Sequence, residues 1–271
     1  MSKPKNPGGT VGGIIHTRSM GLNALELGWV RSVRVSEKTC EAIRSTAEEH
    51  DVALSVHAPY FINLRTDEEE WQKSKKRLMD SAHFGNLAGA TDIIFHPGSY
   101  YGNPPDEVLS ISIPRLETCV KELQEAGNPV LLRPETMGKS AMLGSLEDTL
   151  EMSKALEQVE PCIDFAHLHA RPGDGSMNTY DEWAGVLEAY GNALGQAALE
   201  RLSIHMSGIE YGPKGEKKHL PVEESDLNLN AILEALRDFK CKGRILIESP
   251  PLENDAVLVK QRWMELSGES E

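Results

Sequence analysis

The chain lacks any apolar run near the roughly 20 residues needed to span a membrane. Its start, MSKPKNPGG, lacks the apolar stretch of a secretory signal, so a cytoplasmic location is expected. Cysteine is sparse. Cys40, Cys119, Cys162 and Cys241 stand far apart and form no CxxC pair, which argues for buried thiols over a disulfide framework. Basic residues are outnumbered, 28 Lys and Arg against 42 Asp and Glu, for a formal net charge of -14. That balance disfavours broad, non-specific attraction to nucleic acid. A net count would not reveal a local basic rim, and bound ions would offset part of the acid. No internal repeat, low-complexity stretch or second domain is evident, and 271 residues suit one β/α-barrel domain.

What is present is alternation. Short apolar, β-branched runs read as strands at 24–30, 52–58, TDIIFHP, PVLLRPE, PCIDFAH, LERLSIHMS and GRILIESP. Between them, helices are expected at 36–50, 67–89, 106–126, 145–159, 179–196, 225–239 and 252–266. Ser36 suits a helix cap, Ser145 with Asp148 suits a capping box, and Ser225 or Asp226 would cap the helix at 225–239. Pro114 should kink or split its helix. Seven strands alternating with helices predict an α/β chain of the (β/α)8 TIM-barrel class with a degenerate or missing first strand. The segment GGTVGGIIHTRSMG would supply either a first helix or a short strand, IIHT.

The strand ends carry the chemistry. Buried strands usually end in apolar or turn residues, yet here they end in His57, His96, Glu135, Asp164, His205 and Glu248, with His167 three residues beyond Asp164. Polar groups repeated at one end of successive strands converge on one site in a β/α barrel. Histidine with carboxylate suits zinc, manganese or iron. Six of these residues would fill two sites if one carboxylate bridges, and His167 with His219 points to a third. Clustered ions fit phosphate-ester hydrolysis. Arg133, two residues before Glu135, would hold that carboxylate or a substrate phosphate. His50 and His83 lie within helices, away from the strand ends, and read as structural or surface groups.

The blocks HAPYFINL, FHPGS, RPET, CIDFAH, IHMSG and ILIESP resemble the endonuclease IV family of apurinic/apyrimidinic endonucleases, above all its archaeal-type members, over about residues 20–265. The resemblance implies a β/α barrel with zinc ions that cuts duplex DNA 5′ of abasic sites in base excision repair, leaving a 3′-hydroxyl. It implies that Glu135 bridges two ions, that Asp164, His205 and Glu248 complete one site and His57 and His96 the other, and that His167 and His219 serve a third. Glu135 and Glu248 are the catalytic carboxylates in this reading, and Tyr60 faces the DNA. Manganese would fit the same ligands.

Two departures stand out. The family supplies its third ion with an aspartate two residues before the last histidine, and here that position is Lys217. Glu216 is the nearest substitute, with Glu223 and Glu224 weaker ones. The first strand is also absent. Lys214, Lys217 and Lys218 in YGPKGEKKH read as a phosphate-facing loop, and Arg31 and Arg34 as contacts to the damaged strand. A monomer is expected. The alternative reading is a sugar isomerase or epimerase of the xylose-isomerase-like barrels, with one divalent metal on Glu135, Asp164, His205 and Glu248. It leaves His57, His96, His167 and His219 without a role. A non-catalytic nucleic-acid-binding barrel would have been free to lose the ligands.

Overall fold

The alternating runs fold as parallel strands and helices. The computed structural model describes residues 7–268; most of the Lys- and Pro-rich start and the end of the acidic tail GESE lie outside the described residues. The chain forms two compact units. One runs to Glu135 and takes in Met142–Pro161; the other holds Thr136–Ala141 and everything from Cys162 onward.

The first unit contains α1 (Gly9–Ser19), β1 (Ala24–Gly28), α2 (Glu37–Glu49), β2 (Ala53–His57), α3 (Glu68–Leu87), β3 (Ala90–Phe95), α4 (Pro105–Glu125), β4 (Leu131–Pro134) and α5 (Leu146–Ala155). Its four strands form one parallel sheet in the order β1-β2-β3-β4. Ile93, Ile94 and Phe95 are all fully buried, as expected of a strand covered on both faces. Gly85 lets α3 press onto this sheet, since a Cβ there would stand 2.7 Å from Ile93 Cδ1. The caps follow the sequence: Ser36 accepts from Thr39 N, and Ser145 with Asp148 forms the expected box.

The structure decides between the two readings of the first segment and adjusts two helices. IIHT lies inside α1, so His16 is helical and no strand precedes α1 among the described residues. Helix α4 runs unbroken through Pro114: the missing backbone hydrogen bond is outweighed by a buried face of Leu116, Cys119, Val120 and Leu123. Helix α5 ends at Ala155, short of residue 159, because the chain turns at Gln158 (φ 63°), whose amide donates to Asn128 O and Val130 O.

The second unit contains β5 (Cys162–Asp164), α6 (Phe165–Ala170), α7 (Tyr180–Leu194), β6 (Leu202–Met206), β7 (Gly208–Gly212), β8 (Gly215–Leu220), α8 (Leu229–Asp238), β9 (Gly243–Ile247) and α9 (Glu253–Ser267). Strands β5, β6 and β9 pair in parallel in that order, while β7 and β8 form an antiparallel hairpin. The segment read as a loop at 211–219 is therefore mostly strand. The run PCIDFAH stops being a strand at Asp164, whose side chain accepts from His167 N and starts α6. The cap of α8 is Asn228, not Ser225 or Asp226. Cys40, Cys119 and Cys162 are buried free thiols, and Cys241 is half-buried. No helix among the described residues is long and apolar enough to cross a membrane.

Candidate metal centre

Three neighbouring strands of the first unit end level with one another, because β2, β3 and β4 pair in parallel with His57 opposite Ile94 and Phe95 opposite Pro134. Level ends bring His57, His96 and Glu135 together. Glu135 Oε2 lies 3.3 Å from His57 Nε2 and 3.2 Å from His96 Nε2. Glu135 and His57 are buried. His57 Nδ1 donates to Ala58 O at 2.9 Å, which turns the lone pair of Nε2 toward Glu135. This is a three-donor set of the kind a divalent ion takes. Tyr60 stacks on His96 (5.1 Å, 26°), meets the edge of His57, and is half exposed. One aromatic ring thus lies over two candidate ligands and faces solvent.

The second unit repeats the device. Asp164 pairs across the sheet with His205, and Glu248 N donates to Met206 O, one residue on from His205. Asp164, His205 and Glu248 each bring a ligand atom within 4.8 Å of the others. His205 Nδ1 stands 3.6 Å from Glu248 Oε1. Asp164 divides its work. Oδ1 caps α6 through His167 N at 2.7 Å, while the buried Oδ2 takes part in no hydrogen bond. A buried carboxylate oxygen in that state is costly unless a cation serves it. Asp164, His167 and His219 form a further group of potential ligands. His167 lies on α6, past the end of the strand, and His219 lies on β8, not in the expected loop.

Two neighbours were not legible beforehand. Thr136 O accepts from His167 Nδ1 at 2.9 Å and so fixes that imidazole's tautomer. Gly138 leaves room that His167 and Glu216 occupy. Both fall within three residues of Glu135, so the chain just past a ligand-bearing strand end was the signal. Arg133 has acidic partners within its own unit. Its buried guanidinium donates to Asp92 Oδ1 at 2.6 Å and Glu160 Oε2 at 3.1 Å, because a strand residue two before Glu135 points at the adjoining β3 and the chain entering β5. His169 is also engaged within its own unit. Its ring meets Met177 O and Asp226 Oδ1, and Tyr211 donates to the other oxygen of Asp226.

Among the basic candidates, Arg31 and Arg34 are exposed in the segment after β1. Lys214 is exposed at the tip of the β7–β8 hairpin. Lys217 and Lys218 both reach Glu210, at 3.4 and 3.3 Å, and hold its carboxyl below the usual carboxylate range, Lys218 most.

The family described as xylose isomerase-like TIM barrel matches residues 15–265. The uncharacterized protein MJ0133 of Methanocaldococcus jannaschii is 37% identical over 250 residues, which cover 92% of this chain and 90% of that one. Endonuclease 4 of Thermus thermophilus is 27% identical over 95% of this chain and 94% of its own. Among solved structures, an endonuclease IV from Thermus thermophilus superposes with a TM-score of 0.70 at 22% identity over 95% of this chain and 94% of that chain. A D-tagatose 3-epimerase-like protein superposes with a TM-score of 0.69 at 18% identity, covering 91% and 90%. Fold likeness therefore does not separate the two chemistries.

Proposed function

From the premise that the chain belongs to the xylose isomerase-like TIM barrel family and is related to endonuclease IV, we propose that it is a metal-dependent phosphodiesterase that incises DNA 5′ of abasic sites. The observation that carries this reading is the surplus of ligands. Asp164, His205 and Glu248 in the second unit already make a set for one ion, and His57, His96 and Glu135 make another in the first. Sugar isomerisation with a single ion leaves the second set without work. That the family match runs without interruption through both units supports one β/α-barrel domain.

In this reading His57, His96 and Glu135 hold one ion and Asp164, His205 and Glu248 another. Zinc suits these donors, and manganese fits them too. When bound, such ions polarise a phosphoryl oxygen and make water a better nucleophile at neutral pH. The buried carboxylates hold the positive charge in place, and the carbonyls of Ala58 and Thr136 keep the imidazoles of His57 and His167 turned. Tyr60 offers its exposed ring to the sugar or a neighbouring base. An abasic nucleotide leaves the duplex at little unpairing cost. Water adds across the phosphodiester: the bond from phosphorus to the 3′-oxygen breaks, that oxygen takes a proton, and the phosphate stays on the abasic sugar. Arg31, Arg34, Lys214, Lys217 and Lys218 are our candidates for backbone contacts, with the two lysines on Glu210 exchanging that partner for phosphate. The protein acts as a monomer on cellular DNA.

The test is incision of a duplex carrying one synthetic abasic site, with undamaged duplex as control and with metal-stripped, zinc-loaded and manganese-loaded protein. The expected result is a metal-dependent cut only on the 5′ side of the abasic site. Folded, metal-loaded protein that leaves this duplex intact overturns the proposal and moves the search to ketose and aldose substrates.

A further inference from the structure

Two imidazoles of the second unit face each other nitrogen to nitrogen, with His167 Nε2 3.4 Å from His219 Nε2. Each ring has its Nδ1 against a backbone carbonyl, His167 with Thr136 O at 2.9 Å and His219 with Glu248 O at 3.2 Å. A proton on each Nδ1 satisfies both carbonyls and leaves a lone pair on each Nε2. Facing lone pairs at this distance repel unless something positive joins them. Two nitrogen ligands on a tetrahedral ion, each at about 2.05 Å from it, stand about 3.3–3.4 Å apart. The observed spacing is therefore that of a ligand pair.

A third donor comes from an unexpected position. Strand residues two apart share a face, so the partner of His219 on its own face should be Lys217. The β7–β8 ladder does not keep that count. Lys218 pairs with Glu210 and Glu216 with Tyr211, so Lys217 is one extra residue on β8. Such a bulge shifts the alternation by one. It returns Glu216 to the face of His219 and turns Lys217 out to Glu210. Glu216 Oε2 reaches 3.7 Å from His167 Nε2. The path is open only because residue 138 has no side chain. A Cβ on Gly138 would stand 2.8 Å from Glu216 Cβ and 3.0 Å from both Glu216 Oε2 and His167 Cδ2.

We propose that Glu216 is a ligand to a divalent cation held with His167 and His219, delivered by an E-x-x-H spacing that a one-residue β-bulge makes equivalent to an alternate-residue pair. Asp164, whose ligand atom lies within 4.8 Å of those of both histidines, closes the site. This rests on the metal-dependent reading of the protein and not on its substrate.

The test counts ions and does not use catalysis. Purified full-length protein is loaded with zinc, passed through gel filtration and analysed by mass spectrometry, and cobalt loading is followed by visible absorption. Glu216→Gln is expected to hold one ion fewer per chain than wild type and to lose part of the tetrahedral cobalt band. Glu216→Asp, which keeps the charge but shortens the reach, should bind that ion at least tenfold more weakly. Glu223→Gln should match wild type. Equal ion content and affinity in Glu216→Gln, with thermal melting showing both proteins folded, overturns the assignment, as does loss of the ion in Glu223→Gln. The outcomes separate from those of the incision test. An ion lost in Glu216→Gln from a protein that cuts no abasic DNA removes only the substrate proposal. DNA cut by a protein whose Glu216→Gln form keeps every ion removes only this one.

Discussion

Glu216 fills the space that a side chain on Gly138 would need, with its Cβ 2.8 Å from where that residue's Cβ would stand. The backbone at Gly138 accepts from Glu216 N at 2.8 Å, so the two backbones are tied together. Gly138→Ala should push Glu216 away from His167. We expect one bound ion fewer per chain and an overpacking loss of about 1–3 kcal/mol. Ion content by mass spectrometry and thermal melting check both. An alanine variant with full ion content means Glu216 is not held against Gly138 for metal binding.

Glu135 presents one oxygen to two imidazoles, 3.3 Å from His57 Nε2 and 3.2 Å from His96 Nε2. Replacing it with glutamine keeps the shape and removes the charge that would balance an ion. Glu135→Gln should weaken zinc in the first unit and lower incision of abasic DNA on the order of 100-fold or more, since even partners of ligands are worth about 10–100-fold. Circular dichroism should stay native. Wild-type incision by this variant would remove Glu135 from the chemistry.

Arg133 makes a prediction of opposite kind. Its guanidinium is buried between Asp92 and Glu160, and Asp92 also accepts from Thr91 Oγ1 at 2.6 Å. Removing one partner of a buried pair leaves an uncompensated charge, worth about 3–5 kcal/mol. Arg133→Ala should therefore lower denaturant stability by that amount. A variant of wild-type stability would show that Asp92 finds solvent or another partner.

The strands were readable because each is short, β-branched and buried on both faces, and the ligands because each sits where such a run breaks off. Glu135 after LLRP and Glu248 after RILI are anomalies in apolar surroundings, and anomalies are visible in one dimension. The fine placement was not. FAH after CID has nothing apolar-periodic to mark a helix; it becomes one because Asp164 caps its own successor. The β7–β8 hairpin was hidden by its lysines, which fit a loop by composition. They lie in a strand because Glu210 meets both across the bulge. The partners of Arg133 at Asp92 and Glu160 were not legible, because alternation gives the side of a strand but not the groups waiting there.

Tyr211 ties the segment after α6 to the start of α8, and this link makes the last prediction. Its hydroxyl donates to Asp226 Oδ2 at 2.7 Å, its ring meets His169 edge-on, and a Cβ on Gly175 would strike its oxygen at 2.6 Å. The hydrogen bond to Asp226, with burial behind it, pushes the phenol from its ordinary value of 10 up to about 12. Burial raises the Asp226 carboxyl, but hydrogen bonds from His169 and Tyr211 outweigh it and hold the group below its usual range. A raised phenol contributes stability that is complete below about pH 10 and fades as pH climbs toward about 12. A lowered carboxyl contributes stability present above its ordinary range and lost as acid takes the pH down through its folded value. The link should thus hold across the neutral range and fail at both ends. Tyr211→Phe should cost about 1 kcal/mol, the usual net worth of one such bond at a partly exposed site. Melting temperatures of the two proteins, compared from about pH 3 to about pH 11.5, should differ most between about pH 5 and 9 and converge toward both extremes. A difference that stays constant to the alkaline end would assign the loss to packing against His169 and Gly175 instead of to the hydrogen bond.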